Sequence, residues 1–367
     1  MSPLHSPAFA GRSRHPFQPS DDRFYCAMRS IFRIRADSHM DDSTQPPIDR
    51  LEAFLEGGPR ERAVACLEQL AHDDAETRKT TLQALRQFAT QQPSALEPVL
   101  PTLAHFLTDE ERSVRLTTAK LIVAAAETDP NAAATVVSPL ADRLADEDEF
   151  YYVRGRSAEA LGYIALERPA VVASPDVLAD LRIGLSFDEP EVREKLAKAL
   201  ECVALGDQHR LRHHTADLSR HLSDRRELVR YRLCTALVAV GCEYPTALAE
   251  CTTALADRVH DESPYVRGRV AEAFGLLARS EAAVSIPELK SLTDGDALQF
   301  LVDRVEFAVD GDEESMAADV GTIESIRERT DEIATEITAP DGGVCPHCGL
   351  ALPESGPPLC PQCGAPR

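Results

Sequence analysis

Large aromatic side chains and long apolar runs are what this 367-residue sequence has least of. Tryptophan is absent, and aromatic residues make up 5% of the chain. Because so few large side chains cannot fill one thick core, the sequence favours many small helix faces of alanine and leucine. No apolar run reaches the ~18 residues of a bilayer-spanning helix, and the N-terminus lacks the apolar segment of a secretory signal. We therefore expect a cytoplasmic protein without membrane contact.

Lysine is also scarce, which leaves the chain strongly acidic. Lysine and arginine together number 39, of which five are lysine, against 61 aspartates and glutamates, for a net charge of −22. This composition resembles that of proteins from microbes with molar salt in their cytoplasm, where a Debye length of ~3 Å screens self-repulsion. We expect a halophilic protein of haloarchaeal type, with an ordinary acidic cytosolic protein as the alternative.

The first 39 residues have the opposite composition, with six arginines against three aspartates and no helical period. The acidic composition begins abruptly at Met40. We interpret residues 1–45 as a disordered basic tail or as the product of a start codon assigned too early. A basic arm that binds nucleic acid is the alternative.

A short signature recurs through the middle of the chain: an acidic turn, a Val-Arg step (Thr-Arg in the first copy) and an alanine- and leucine-rich stretch. Near-fixed spacing is typical of repeat proteins, whose helix pairs bury their apolar faces only by stacking. In each period the apolar residues follow helical stripes, such as Ser157, Leu161 and Ile164 after Val153. The signature arginines follow one another at 37, 39, 39, 37 and 37 residues: Arg78, Arg115, Arg154, Arg193, Arg230 and Arg267.

This signature resembles the HEAT-repeat family, in particular the short repeats likened to phycobilisome lyase subunits. The resemblance implies an all-α solenoid of helical hairpins, which we assign to residues 46–309. It also implies a ladder between repeats in which turn aspartates pair with signature arginines. By position these pairs are Asp109/Arg115, Asp148/Arg154, Asp224/Arg230 and Asp261/Arg267.

Two cysteine pairs near the C-terminus have metal-ligand spacing. They are Cys345-Pro-His-Cys348 and Cys360-Pro-Gln-Cys363, each followed by glycine. Two-residue spacing lets both thiolates of a knuckle reach one tetrahedral ion, and four thiolates close its coordination shell. The pattern resembles a zinc ribbon, and it predicts one structural zinc ion in residues 342–367, whose folding would depend on the metal. A redox dithiol is the alternative.

A row of polar or basic residues lies two positions after each signature arginine. Its last four members are Arg156, Lys195, Arg232 and Arg269. In HEAT arrays the second helix of each pair usually lines the concave face, so these four are candidates for binding an acidic partner. The alternative is local pairing, because Glu159 and Glu272 stand three residues beyond two of them.

Residues 310–341 form an acidic linker that contains one candidate helix. Ile323, Ile326, Ile333 and Ile337 have heptad-like spacing, interrupted by Thr330. The segment is too short for a coiled coil. It can dock on the last repeat or self-associate.

Together these features favour a non-enzymatic scaffold or adaptor that binds protein partners through the solenoid, with the ribbon as a second interaction module. A nucleic-acid-associated factor that uses the ribbon and the basic row is the alternative, although phosphate contacts weaken steeply with salt. An enzyme of the HEAT-like lyase type is less favoured. The HEAT-like hydroxylases need His-Glu pairs, and this sequence contains no His-Glu dipeptide.

Overall fold

The computed structural model describes residues 45–282, 284–293, 298–309, 320–338 and 345. These residues form helices and connecting turns, without a strand among them. Short 3₁₀ segments lie at Pro93–Val99, Ala104–Thr108, Ala134–Val136, Gln208–Arg210, Pro245–Cys251 and Lys290–Thr293. The α-helices are α1 (Pro47–Leu55), α2 (Arg60–Leu70), α3 (Ala75–Gln91), α4 (Leu100–Leu103), α5 (Arg112–Thr128), α6 (Pro130–Ala133), α7 (Val137–Ala145), α8 (Tyr151–Glu167), α9 (Pro169–Val172), α10 (Pro175–Gly184), α11 (Pro190–Gly206), α12 (Thr215–Ser219), α13 (Glu227–Glu243), α14 (Thr252–Ala256), α15 (Pro264–Ala278), α16 (Gln299–Val309) and α17 (Ile323–Thr338).

Local sequence signals set where the helices begin. Asp74 caps α3 by accepting hydrogen bonds from the backbone N–H groups of Glu76 and Thr77, and Ser263 caps α15 in the same manner. Several prolines occupy the first turn of a helix, where the missing N–H has no intrahelical partner to lose. Among them are Pro130, Pro175, Pro190 and Pro264.

The long helices α3, α5, α8, α11, α13 and α15 pack side by side in chain order, and α16 follows α15. Shorter helices and 3₁₀ turns precede each long helix and cover one side of this layer. Each repeat therefore contributes one short arm and one long helix, and neighbouring repeats bury one another's apolar faces. The predicted all-α solenoid is confirmed.

The core is one continuous apolar layer between the long helices and the short arms. The predicted stripe of Ser157, Leu161 and Ile164 is fully buried. The valine of each signature is at most 1% exposed, so the Val-Arg step anchors each long helix in the core and lets its arginine reach the turns. These valines are Val114, Val153, Val192, Val229 and Val266.

Glycines bring two pairs of long helices into close contact. A Cβ added at Gly162 of α8 would lie 2.7 Å from the Cα of Ala199 in α11. At the corresponding position of the sixth repeat, a Cβ at Gly275 would lie 2.5 Å from a ring carbon of Phe307 in α16. Only glycine permits these separations, since real Cβ atoms do not approach other heavy atoms so closely.

The signature arginines form a ladder, but its partners differ from those that the resemblance implies. Each arginine that pairs with a carboxylate reaches the turn of the following repeat rather than its own. Arg230 donates twice to Asp261, at 2.9 Å from both Nε and Nη2. The other rungs are Arg78–Asp109, Arg115–Glu149 and Arg193–Asp224.

None of the four expected pairs joins a guanidinium to the carboxylate of its expected aspartate. Arg230, for example, pairs with Asp261 and meets Asp224 only at its backbone carbonyl oxygen. Arg115 donates to the buried carboxylate of Glu149 in the next repeat, and it meets Asp109 only at its backbone carbonyl oxygen. Arg154 instead donates to the carbonyl oxygen of Leu144 at 2.9 Å, with its guanidinium over the ring of Phe187. Arg267 meets only the backbone side of Asp261, donating to its carbonyl oxygen at 2.7 Å.

No helix in the described part of the chain combines the length and the apolar composition that crossing a membrane requires.

Candidate functional site

One side of the long-helix layer is turned away from the short arms. We call this side, which carries Arg156, Lys195, Arg232 and Arg269, the long-helix face. Helix α17 lies on this face. It packs mainly against α13, and also against α11, both of which belong to the long-helix layer. It thus returns over the fourth and fifth repeats, rather than docking on the last repeat as one of the two sequence alternatives had it.

The buried side of α17 carries the isoleucine stripe that the sequence predicts. Ile326 is fully buried and Ile333 is 3% exposed. Near the start of α17, Arg327 donates to the carbonyl oxygen of Leu166 at the end of α8. Near its end, Glu336 accepts a 2.5 Å hydrogen bond from the hydroxyl of Tyr265 at the start of α15. Helix α17 therefore runs antiparallel to the long helices.

Gly321 leads the chain into α17. Its φ of 80° lies in the left-handed region that side chains disfavour. Its backbone N–H donates to Glu272 on the long-helix face at 2.9 Å. A Cβ at this position would lie 2.6 Å from a ring carbon of Phe307. Both the conformation and the space around it therefore require glycine.

Two members of the basic row share one buried carboxylate. Arg156 Nη1 lies 2.7 Å and Lys195 Nζ 2.8 Å from Glu159, with Lys198 Nζ at 3.8 Å. Burial would raise the pKa of Glu159, but the three cations outweigh it and hold that pKa well below the ordinary value. Burial also lowers the pKa of Lys195.

A second cluster forms around Arg232, whose guanidinium pairs with Glu201 of α11. Only one oxygen of Glu201 is bonded, since its buried Oε1 has no hydrogen-bond partner. Burial raises the pKa of this carboxyl despite the arginine. Asp331 of α17 lies near enough to interact electrostatically with both groups.

The third cluster is a triad with no solvent exposure. Glu272 accepts from Arg269 at 2.8 Å and from Arg304 of α16 at 3.0 Å. Burial would raise the pKa of Glu272, and the two guanidinium groups lower it below its ordinary value. The guanidinium carbon of Arg304 also lies 3.5 Å from the ring centre of Phe300.

The four predicted partner-binding residues thus lie on one face, and each has a carboxylate partner within the chain. The side chains of Arg156, Lys195, Arg232 and Arg269 are 13%, 21%, 7% and 0% exposed. The exposed fraction is lowest for Arg232, which lies beside α17, and for Arg269, which lies beside α16. Sequence reasoning had considered pairing with Glu159 and Glu272, but it had missed Glu201 and Arg304, which complete the clusters.

A cavity of about 200 Å³ remains beside α17, between α8 and α11. Its walls include Tyr163, Lys198, Glu201, Cys202 and Thr330. Thr330 is the residue that interrupts the isoleucine stripe of α17. The helix therefore does not fill the face on which it lies.

The predicted zinc site falls almost entirely outside the described residues. Of its four ligands, Cys345 is described and is buried, whereas Cys348, Cys360 and Cys363 are not. The described part of the chain holds no cluster of three or more metal-ligating side chains. The ribbon therefore stays a prediction.

No protein-family model and no curated protein matches this chain. An engineered protein of known structure is 21% identical with a TM-score of 0.51, over 58% of this chain and 99% of its own. A designed armadillo repeat protein in complex with the peptide (KR)4 is 18% identical with a TM-score of 0.46, over 64% and 100%. Uso1-2 is 15% identical with a TM-score of 0.47, over 74% and 53%. The likeness to the engineered protein supports only the fold, which is a helical-repeat solenoid.

Proposed function

We propose that this chain is a non-enzymatic scaffold that binds protein partners through its long-helix face. The observation that carries the proposal is the position of α17, a helix outside the repeat ladder that packs on this face. A surface that accommodates one amphipathic helix has the groove width and side-chain pattern to accommodate another. The continuous layer of long helices also offers a larger contact area than a single helix covers.

Within the predicted row, the proposal assigns partner contact to Arg156 and Lys195. They retain the largest exposed fractions of the four side chains, 13% and 21%. Three cations surround the single carboxylate of Glu159, which leaves this part of the face positive in a chain whose net charge is −22. An acidic partner segment is the complementary ligand.

The predicted zinc ribbon is the second interaction module in this proposal. Cys345, Cys348, Cys360 and Cys363 would hold one zinc ion in a closed tetrahedral shell, and the ion would stabilise the tail rather than take part in a reaction.

The test is affinity capture of partners by the full chain at molar KCl, with and without nuclease. We compare wild type with the triple variant Arg156→Gln, Glu159→Gln and Lys195→Gln, which removes two of the three cations together with the buried carboxylate that they share and leaves Lys198 beside Tyr163. The matched control is Arg220→Gln, since that side chain is 75% exposed and lies beside a short helix.

The proposal predicts that a protein partner co-purifies with wild type and with the control, and is lost from the triple variant. Equal capture by all three proteins would contradict the assignment to this face. Capture that disappears on nuclease treatment would favour the nucleic-acid alternative.

A further inference from the structure

The position of α17 in the solenoid does not correspond to that of a terminal cap. A cap covers the exposed apolar side of the last repeat, and here α16 already packs beside α15 at the end of the ladder. Helix α17 instead crosses back to α13 and α11. It covers part of the long-helix face, which the short arms do not cover. Its residues 323–338 lie outside the repeat period.

The charges of α17 and the face beneath it are complementary. The three ion-pair clusters of the long-helix face join six cations to three carboxylates, an excess of three positive charges within the clusters. Glu167 in the cavity wall and Glu127, which accepts a hydrogen bond from Tyr163, reduce this excess nearby.

Helix α17 carries five acidic side chains and two arginines, an excess of three negative charges. Asp331 lies within electrostatic reach of both Arg232 and Glu201 across this contact, and Glu336 accepts a hydrogen bond from Tyr265. The face therefore favours an acidic helix in a way that an apolar contact alone would not.

The apolar contact of α17 is incomplete. Thr330 stands in the isoleucine stripe and borders the cavity of about 200 Å³, so no apolar side chain of α17 fills that space. Each unfilled contact forfeits dispersion energy. A helix with a larger apolar residue at the equivalent position would bind the same face more tightly.

We propose that α17 is an intramolecular ligand of the long-helix face, and that a partner's acidic amphipathic helix with a longer apolar stripe displaces it. This inference rests on the proposed scaffold function and specifies both its partner and its regulation. Because α17 is tethered to the solenoid, it competes at a high effective concentration. A partner helix must therefore bind the face better than α17 does.

The experiment is exchange of α17 in trans, with the full chain at molar KCl. The probe is a fluorescent synthetic peptide of residues 320–338, and its anisotropy reports binding. The release variant carries Ile326→Glu and Ile333→Glu, which bury charge on the docked side. A second release variant, Gly321→Ala, strains the turn before α17 and leaves the helix itself unchanged. The matched control carries Glu328→Asp and Glu332→Asp on the exposed side of α17.

We expect both release variants to bind the peptide at least tenfold more tightly than wild type, and the control to bind as wild type does. Thr330→Leu should fill the cavity and weaken peptide binding below that of wild type. Equal affinity of the release variants and wild type would overturn the proposal. So would loss of solenoid helicity in both release variants, since α17 would then be a structural part of the array.

The exchange experiment uses no external partner, so its failure is distinct from failure of the scaffold function. If α17 does not exchange while wild type still captures a partner that the triple variant loses, the regulatory inference is wrong and the scaffold function stands. If α17 exchanges but no partner is captured, the face binds helices only within this chain and the scaffold function is wrong.

Discussion

Replacing Glu272 by glutamine removes the charge that compensates two buried arginines. Glu272, Arg269 and Arg304 are all 0% exposed, and the carboxylate accepts three hydrogen bonds of 2.8 to 3.0 Å, one of them from Gly321. Removing one partner of a buried ion pair costs ~3–5 kcal/mol, because the remaining charge stays desolvated without compensation. Glutamine keeps the shape and one acceptor, so we expect a loss of about 3 kcal/mol.

Native-state hydrogen exchange of α15 is the suitable assay, since a long repeat array need not unfold in one step. The matched control is Glu262→Gln, because Glu262 pairs with Arg230 but is 82% exposed, and such pairs contribute only ~0–1 kcal/mol. Equal protection of α15 in both variants would refute the reasoning. Changing the whole triad to methionine and leucine should restore much of the loss, since no unpaired charge then remains.

Arg230→Ala breaks a buried rung of the ladder and should lower the free energy of unfolding by ~1–3 kcal/mol in urea titrations; an unchanged midpoint would contradict the ladder. Gly162→Ala places a methyl group 2.7 Å from a backbone atom of α11 and should destabilise the fold by ~1–3 kcal/mol, as measured by thermal melts. An unchanged melting temperature would mean that α8 and α11 do not pack this closely. Burial would raise the pKa values of Glu159 and Glu272, but nearby cations hold both below 4.5. The stabilisation from these two carboxylates is therefore complete above pH 4.5 and is lost as the pH falls below it. Thermal melts between pH 7 and 3 that show no loss of stability below pH 4.5 would contradict the clusters. Zinc content by elemental analysis should be one ion per chain and should fall to background without residues 340–367; zinc retained by the truncated chain would exclude the ribbon.

The repeat period predicted the fold because it records a geometric constraint. Each signature valine must enter the core, and four of the six signature arginines reach a turn of the next repeat, so the near-constant spacing from Arg78 to Arg267 reflects the regular stacking of the repeats. The prolines and capping residues at the helix starts act within one turn, so their effect depends on the local sequence alone.

The partners of buried charges were harder to predict, because they depend on which side chains face each other across repeats. Glu201 follows Lys198 by three residues, but its cation is Arg232, 31 residues away. Arg304 follows Arg267 by 37 residues, the same interval as the preceding pair, so extending the period by one step would have drawn attention to it. The same 37-residue interval also identifies α16, which carries Arg304, as the helix that follows α15 in the array.

The position of α17 had no sequence signal that fixed it. The spacing of Ile326 and Ile333 indicates a helix with one apolar side, but not the surface that this side meets. That surface is assembled from α11 and α13. The sequence predicts the basic row on it, but not that α17 lies beside this row. Sequence reasoning therefore left docking and self-association open.

The most direct test of the scaffold account is a hydrogen-exchange footprint of the captured partner on the full chain at molar KCl. The account predicts stronger protection on the long-helix face of α8 and α11 on binding, together with weaker protection of residues 323–338 as α17 is displaced. A footprint confined to the short arms α10, α12 and α14, with α17 unchanged, would contradict it.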